Sequence, residues 1–351
     1  MRTTFLRAIL FGALTAALAV PPGELAARAQ QQQQQPPPQE RKKEAPPDQF
    51  ALSIEVPVVN VDVVVTDNNG AFLSGLRKEN FRVLEDGVPQ TVTNFAPTDA
   101  PITMVILLEF SKIGWGVFSY YATAMAQDFL RELKPDDWIA LKSYDLKIRI
   151  EHDFTRSKQD LRQTLRSMYF PGFSEAVLYD AVYETLEELK DVKGKKSMLI
   201  LGTGLDTFSK KTLDDVLKRL RETDVTIFTV IAGKNFLEYL EARGVFDSTW
   251  ARLDYMNYLQ AENQMKAFAN FTGGRAWVPR FAGEWPGIFA DVAASLRNQY
   301  SLGYSPTNRA RDGKLRKIKV QLVDDQGNPL VVPDKKGKKI KYVVYAREGY
   351  T

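Results

Sequence analysis

The sequence predicts an α/β protein whose central sheet is mostly parallel and is covered by helices on both faces. Residues 103–114 (TMVILLEFSKIG) and 197–206 (SMLILGTGLD) each begin with an unbroken apolar run. Runs of this kind indicate strands buried on both faces, as in a parallel sheet. Between residues 100 and 299 such strands alternate with amphipathic stretches, which favours helical crossovers and therefore parallel strands.

Both apolar runs end in oxygen-bearing side chains. Glu109 and Ser111 end the first run, and Thr203 and Asp206 end the second. The carboxyl ends of parallel strands share one edge of the sheet, and ligands of open α/β sheets bind there. We therefore expect the functional residues of this chain at that edge.

The remaining elements of the α/β region follow from hydrophobic period and from turn residues. Strands are predicted at residues 103–109, 138–144, 147–153, 197–202, 225–232 and 275–279. Helices are predicted at residues 117–133, 158–168, 176–192, 212–223 and 283–297, with one or two more between residues 235 and 270.

Two β-rich segments flank this region. Residues 50–99 contain an alternating strand and a hairpin around Asp86-Gly87, and residues 300–351 contain three more strand-like stretches. Each segment alone is too short to enclose a core. We expect them to pair into one small β-sandwich-like domain, into which the α/β domain of residues 100–299 is inserted.

The first residues have the features of a secretory signal. Arg2 and Arg7 precede an apolar stretch, and Ala27-Arg28-Ala29 is a small-x-small cleavage site. Residues 1–29 are thus predicted to be a signal peptide, with a retained membrane anchor as the alternative. Residues 30–49, rich in Gln and Pro, are predicted to be a disordered linker. We expect a secreted or periplasmic protein without a membrane span after cleavage.

Composition excludes several functions. The chain of 351 residues has no cysteine, so disulfides, thiol catalysis, zinc–thiolate sites and a lipid anchor on cysteine are excluded. Its 47 Lys and Arg against 43 Asp and Glu give no nucleic-acid signature. His152 is the only histidine, and no Gly-x-Ser-x-Gly elbow accompanies it. A Ser-His-Asp triad is therefore not expected, and the protein expected from the remaining features is not an enzyme.

The order of elements resembles the von Willebrand factor A domain. Residues 103–144 are similar to its first strand, first helix and second strand. GLRKENFRVLEDGVPQTV (residues 75–92) and YSLGYSP (residues 300–306) are similar to flanking segments of a secreted bacterial group with a "VWFA-related" domain, common in Acidobacteria. The resemblance covers roughly residues 55–351 and implies a short parallel sheet wrapped by helices, with a metal site at its C-terminal edge.

That resemblance also implies a set of metal ligands, which this sequence only partly keeps. The family holds a Mg²⁺-type ion with Asp-x-Ser-x-Ser, a later Thr and a later Asp. Glu109, Ser111 and Ile113 stand in the first motif here, and Ala176 and Thr203 stand at the other two positions. Because Mg²⁺ demands near-octahedral oxygen geometry, we expect a degenerate site. Mg²⁺ or Ca²⁺ on Glu109 and Ser111 is the minor alternative, and no other cofactor is expected.

The function expected from these residues is adhesion or protein–protein interaction at the C-terminal edge of the sheet. The partner would be a protein or a cell-surface polymer, not a nucleic acid. Two alternatives remain at this point, namely a carboxylate-dependent hydrolase at the same edge and a purely structural envelope module. The residues expected to form the partner-binding rim are Glu109, Ser111, Trp115, Ser174, Glu175, Thr203 and Asp206.

Overall fold

The computed structural model of this protein describes most of the chain from residue 58 onward. The described residues are 58–96, 101–112, 122, 125–168, 171–233, 238–239, 242, 255–310, 312–333, 337 and 339–351. They belong to one compact unit that spans residues 55–351. The predicted signal peptide and linker lie outside the described residues.

The described strands and helices alternate through the middle of the chain, with strands alone towards both ends. The strands are β1 (Val59–Asp67), β2 (Phe81–Glu85), β3 (Val88–Gln90), β4 (Val92–Ala96), β5 (Ile102–Glu109), β6 (Trp138–Tyr144), β7 (Ile148–Thr155), β8 (Lys195–Gly202), β9 (Thr226–Ile231), β10 (Ala276–Trp277), β11 (Gln299–Tyr304), β12 (Arg316–Leu322), β13 (Val332–Pro333), β14 (Lys339–Ile340), β15 (Tyr342–Ala346) and β16 (Gly349–Tyr350). The α-helices of more than one turn are α1 (Lys158–Ser167), α2 (Leu178–Glu188), α3 (Leu213–Glu222), α4 (Tyr255–Thr272) and α5 (Trp285–Arg297).

A six-stranded sheet forms the centre of the α/β region. Its strand order is β10-β9-β8-β5-β6-β7, and all neighbours are parallel except β6 and β7 at one edge. The strand β5 lies between β8 and β6, and it is buried on both faces. Met104, Ile106 and Leu108 enter one core, whereas Val105 and Leu107 enter the other. This two-sided burial is the physical reason for the unbroken apolar run.

Helices cover both faces of this sheet. The helices α1 and α5 contribute to the core on one face, and α2, α3 and the C-terminal part of α4 contribute to the core on the other. Local sequence sets where they begin. At α3, for example, Thr212 and Asp215 form a capping box, and Val216 and Leu220 on the buried stripe are fully enclosed. The predicted fold class is therefore confirmed.

One predicted helix differs in the structure. A single α-helix was expected over residues 117–133, but the described part contains a π-helical turn at Met125–Phe129 and a short α-helical turn at Leu130–Glu132. Met125, Phe129 and Leu130 are all fully buried. The wider turn keeps these three side chains on the face that packs against the sheet.

Strands from both ends of the described chain pair with each other. In one sheet β1 lies between β11 and β15, and in a second sheet β2 pairs with β12. Alternate residues of β1 and β11, including Val61, Val63, Tyr300 and Leu302, form a third hydrophobic core. The segments before and after the α/β region thus share one core.

A buried carboxylate joins these two ends of the chain. Glu85, at the end of β2, is 2% exposed. It accepts hydrogen bonds from the hydroxyls of Tyr304 and Tyr350, at 2.7 and 3.0 Å. A buried charge is tolerated only when donors surround it, so these tyrosines stabilise the pairing of the two segments.

None of the described helices is long and apolar enough to cross a membrane.

Removing the Tyr304 hydroxyl should destabilise the fold, because the Glu85 carboxylate would lose a buried donor. We expect Tyr304→Phe to lower the free energy of unfolding by about 1–3 kcal/mol, measured by urea titration. Tyr345→Phe is the matched control, since no hydrogen bond involves the Tyr345 hydroxyl within the described residues. Equal losses in the two variants would contradict the structural role given to Glu85.

Candidate functional site

The C-terminal ends of β5 and β8 place three of the predicted site residues side by side. Glu109 is the last residue of β5, Ser111 follows two residues later, and Thr203 directly follows β8. All three are buried, with exposures of 0%, 0% and 1%. We call these three residues the Glu109 clasp.

Hydrogen bonds hold the clasp together. One carboxylate oxygen of Glu109 accepts from the Ser111 hydroxyl at 2.7 Å. The other accepts from the Thr203 amide at 2.6 Å and from the Thr203 hydroxyl at 2.8 Å. The Thr203 hydroxyl also accepts from the Leu205 amide at 3.2 Å. The carboxylate thereby ties the loop after β5 to the loop after β8.

Burial dominates the electrostatics of Glu109. Loss of solvent raises the pKa of this carboxyl above its ordinary value of 4.5, and hydrogen bonds from Thr203 and Ser111 offset only part of that effect. The pKa of the neighbouring Tyr258 hydroxyl is raised as well. Burial, with a smaller contribution from the charge of Glu109, raises the pKa of Tyr258 to about 12. The clasp is thus a cluster of polar side chains buried in the protein interior.

Gly202 leaves room for the Glu109 side chain. A Cβ atom at this position would lie 2.6 Å from Oε2 of Glu109 and 3.0 Å from the hydroxyl oxygen of Tyr144. The first separation is shorter than real Cβ contacts show and the second is tighter than most of them, so any larger residue would displace the carboxylate. A glutamate in this place therefore requires a glycine on the neighbouring strand.

The loop after β8 turns away from the clasp at Gly204. This residue has a φ of +80°, and a Cβ there would lie 2.7 Å from Cγ of Met265. The Gly204 carbonyl accepts from the Gln264 amide, and Gln264 in turn accepts from the Tyr179 hydroxyl at 2.8 Å. Glycine is suited to this position because it has neither a conformational nor a steric penalty.

Beyond Gly204, Asp206 interacts with the start of α2. Its carboxylate accepts from the Tyr179 amide at 3.0 Å and from the Ser209 hydroxyl. Burial raises the pKa of Asp206, while hydrogen bonds from Ser209 and Tyr179 act to lower it. A carboxylate at the N-terminus of a helix is stabilised by unpaired amides and by the helix dipole. Asp206 therefore binds α2 and lies in the same loop as the clasp without joining it.

The loop before α2 carries the remaining described rim residues. Ser174 and Glu175 are partly exposed, and the Ser174 amide donates to the Glu175 carboxylate at 3.1 Å. Ala176, at the position where the resemblance implies a Thr, is buried. Its amide donates to the Thr207 hydroxyl at 2.8 Å, and its carbonyl accepts from the Thr207 amide at 2.9 Å. Trp115 lies outside the described residues.

Three residues of this edge were not identified from the sequence. Asp145, fully buried directly after β6, accepts from the Lys147 amide at 2.8 Å and binds the Arg149 guanidinium at 3.0 Å. The position of an acid at a strand end, the signal used for Glu109, would have found it. Phe208 is 64% exposed in the loop after β8, and Tyr258 belongs to α4. No sequence period distinguishes those two.

The oxygens of the clasp do not match the ligand set of an octahedral Mg²⁺ site. Glu109 supplies the one carboxylate of the clasp, and both of its oxygens already accept hydrogen bonds from protein groups. Within the described residues, no group of three or more Asp, Glu or His side chains could hold a metal ion.

Replacing Glu109 by glutamine should change how stability depends on pH. Because the folded-state pKa of Glu109 is raised, the folded protein keeps this proton at a pH where the unfolded chain has lost it. The free energy of unfolding of the wild type should therefore fall, relative to Glu109→Gln, as pH rises above about 4.5. Denaturant titrations between pH 4 and pH 8, about the range in which carboxyl groups and their shifted forms titrate, would measure this.

Asp215 provides a control of opposite sign. Hydrogen bonds from Thr212 lower its pKa, so the wild type should gain stability relative to Asp215→Asn as pH rises through the acid range. A Glu109→Gln difference that is independent of pH, or that has the sign of Asp215→Asn, would contradict the burial of an ionisable Glu109.

No family model matches this chain, and no curated protein matches it. Among solved structures, proximal thread matrix protein 1 from the mussel byssus matches with 12% identity and a TM-score of 0.44, over 60% of this chain and 50% of the mussel chain. The alignment thus spans about half the length of that protein.

Two bacterial structures match a similar share of this chain. An aerotolerance-related membrane protein from Bacteroides fragilis has 10% identity and a TM-score of 0.42, over 56% of this chain and 98% of its own. The vWF domain of the type V pili tip protein Mfa5 from Porphyromonas gingivalis has 12% identity and a TM-score of 0.41, over 57% and 96%. Identities this low concern the fold alone.

The arrangement of the described strands and helices identifies the fold without these comparisons. A parallel sheet with one antiparallel edge strand is wrapped by helices on both faces, as the resemblance implied. The α/β region of this chain therefore has the architecture that the resemblance to the von Willebrand factor A domain implied.

Proposed function

We propose that this chain is a non-enzymatic binding protein that holds its partner at the C-terminal edge of the six-stranded sheet. The partner is a protein or a cell-surface polymer. One observation carries the proposal: a large apolar side chain, Phe208, is 64% exposed on a loop that hydrogen bonds fix at this edge. We call Ser174, Glu175, Asp206 and Phe208 the edge rim.

The rigidity of the rim loop supports this role. The Phe208 amide donates to the Ala176 carbonyl at 3.3 Å, and the Thr207 amide donates to the same carbonyl at 2.9 Å. On the other side, Ser209 binds Asp206. An exposed aromatic residue on a fixed loop loses little conformational entropy on binding, which favours it as an anchor. Glu175 and Asp206, which are both partly exposed, add polar groups around it.

The Glu109 clasp has a supporting role in this proposal. Its residues are buried, so in this conformation they fix the loops that present the rim and do not offer a surface. Hydrogen bonds between Glu109 and Thr203 hold together the strand ends that a cation would otherwise bridge. We therefore propose that partner binding does not require a divalent metal, since Mg²⁺ would have to displace short hydrogen bonds to gain an imperfect shell.

The carboxylate hydrolase remains the second candidate, and one observation favours it. Burial raises the pKa of both Glu109 and Asp206, as a general acid requires. However, a catalytic acid must reach a substrate, and both carboxylates already accept hydrogen bonds from backbone amides, of Thr203 and Tyr179. The binding role therefore accounts for more of the geometry.

We also propose that the protein acts outside the cytoplasm. The charged, apolar and small-residue parts of a signal peptide occur in order within residues 1–29. The Gln- and Pro-rich linker of residues 30–49 would then separate the binding domain from the leader or from the cell surface.

Replacing Phe208 should weaken partner capture. In an experiment with immobilised protein and an envelope extract of the native host, we expect Phe208→Ser to reduce capture about tenfold or more, as for a central aromatic anchor. The melting temperature should stay near that of the wild type, because Phe208 is exposed. Protease treatment of the extract would distinguish a protein partner from a polymer, and EDTA should not change capture.

Trp138→Ser is the matched control. Trp138 is 43% exposed and is the first residue of β6, paired with Thr103 near the start of β5, so it lies at the opposite edge of the sheet from the rim. Equal capture by Phe208→Ser and the wild type would refute binding through the rim. Loss of capture in EDTA would refute the metal-independent mechanism.

A further inference from the structure

A polar cavity of about 620 Å³ lies at the opposite end of the six-stranded sheet from the edge rim. One wall consists of the segments that precede β8 and β9. The other wall is a polar face of the sheet that contains β1 and β11. This volume is in the range of small-molecule sites. The residues that determine its chemistry are Asp62, Lys195, Asp224, Gln299 and Arg347.

Gln299, one of the residues that line this cavity, has an unsatisfied side-chain amide. The residue is 1% exposed, and within the described part of the chain neither Oε1 nor Nε2 has a hydrogen-bond partner. An unpaired donor and an unpaired acceptor in the interior destabilise the folded protein, and such groups are rare in native structures. A bound group that offers one acceptor and one donor would remove it.

Arg347 is a buried cation that points to the same conclusion. It is 8% exposed, and its guanidinium donates to two backbone carbonyls, of Gly349 at 3.0 Å and of Arg221 at 3.3 Å. Among the described residues it forms no salt bridge. A buried arginine normally pairs with an anion, so its remaining donor capacity is available to one.

Lys195 adds a second buried cation, whose charge is partly offset by Asp62 and Asp137. Its ammonium donates to the Leu296 carbonyl at 2.8 Å, and burial lowers its pKa to about 8. The acids of the lining also have other hydrogen-bond or ion-pair partners. Asp62 accepts from Ser301 at 2.6 Å and from Thr226 at 3.2 Å, and Asp224 binds Lys196 at 2.7 Å. The lining of the cavity nevertheless has five Lys or Arg side chains against three Asp, so it is net positive, and it includes the unpaired amide of Gln299.

We propose that this cavity binds an anionic monosaccharide. The carboxylate or phosphate of the sugar would pair with Lys195 and Arg347, and adjacent hydroxyls, which both donate and accept, would satisfy the Gln299 amide. The site is separate from the edge rim, so its occupancy does not depend on the proposed partner binding. A sugar acid and a sugar phosphate share this chemistry, and the experiment distinguishes them.

The test is calorimetry and thermal unfolding of residues 30–351 with a panel of hexuronates and hexose phosphates. At about 10 mM ligand, binding in the millimolar range or tighter would raise the melting temperature by mass action. We expect at least one anionic sugar to bind, and whether it comes from the hexuronates or the hexose phosphates identifies the anion. Glucose and inorganic phosphate alone should bind at least about tenfold more weakly, because each lacks half of the recognised groups.

Two variants distinguish a ligand-binding site from a water-filled gap between the two sheets. Gln299→Leu should weaken sugar binding about tenfold and leave the unliganded protein equally or more stable, since it removes unpaired polar atoms. In the wild type, the affinity for the sugar should fall as pH rises through about 8, where Lys195 loses its charge. Lys195→Met should weaken sugar binding and remove this dependence on pH. Lys314→Met, at a side chain that is 78% exposed, is the control and should bind normally.

Three results would overturn the proposal. The first is that no anionic sugar of the panel binds. The second is that glucose binds as tightly as the anionic sugars. The third is that both Gln299→Leu and Lys195→Met bind with full affinity. Each result would mean that the cavity is a water-filled gap between the two sheets and does not bind a sugar. None of them bears on the edge rim, whose test uses Phe208.

Discussion

The hydrogen bonds from Thr203 to the Glu109 carboxylate are the contacts on which the C-terminal edge depends. They join the ends of two neighbouring parallel strands, at 2.6 and 2.8 Å, in a place without access to water. A buried carboxylate is costly unless donors surround it, so loss of either partner would leave an unpaired group in the core. This explains why Gly202 must be small and why the following loop starts from a fixed point.

The rest of the edge is built outward from that point. The turn at Gly204 directs the loop towards α2, where Asp206 binds the backbone amide of Tyr179. Phe208 then projects into solvent from a segment tied to Ala176. In this interpretation a single extra methylene, glutamate in place of aspartate, lets the side chain reach the neighbouring strand directly. Under the proposed function, hydrogen bonds would then keep this edge of the sheet rigid without a cation.

Much of this could be predicted from the sequence, because strand burial and strand-end chemistry are local properties. The apolar runs predicted the fold, and adjacency of parallel strands predicted that Glu109 and Thr203 lie together. The burial of Glu109 could not be predicted, since a polar residue at a strand end looks exposed without its neighbours. The environment of Gln299 and Arg347 depends on how two sheets distant in sequence pack, which no local pattern records.

The most direct test of the central claim is calorimetric titration of Mg²⁺, Mn²⁺ and Ca²⁺ into residues 30–351, alongside the Ser111→Ala variant. If hydrogen bonds to Glu109 have taken the place of a cation, neither protein should bind any of these ions at micromolar concentration. Micromolar binding by the wild type that is lost in Ser111→Ala would contradict the account, because the clasp would then be a metal site.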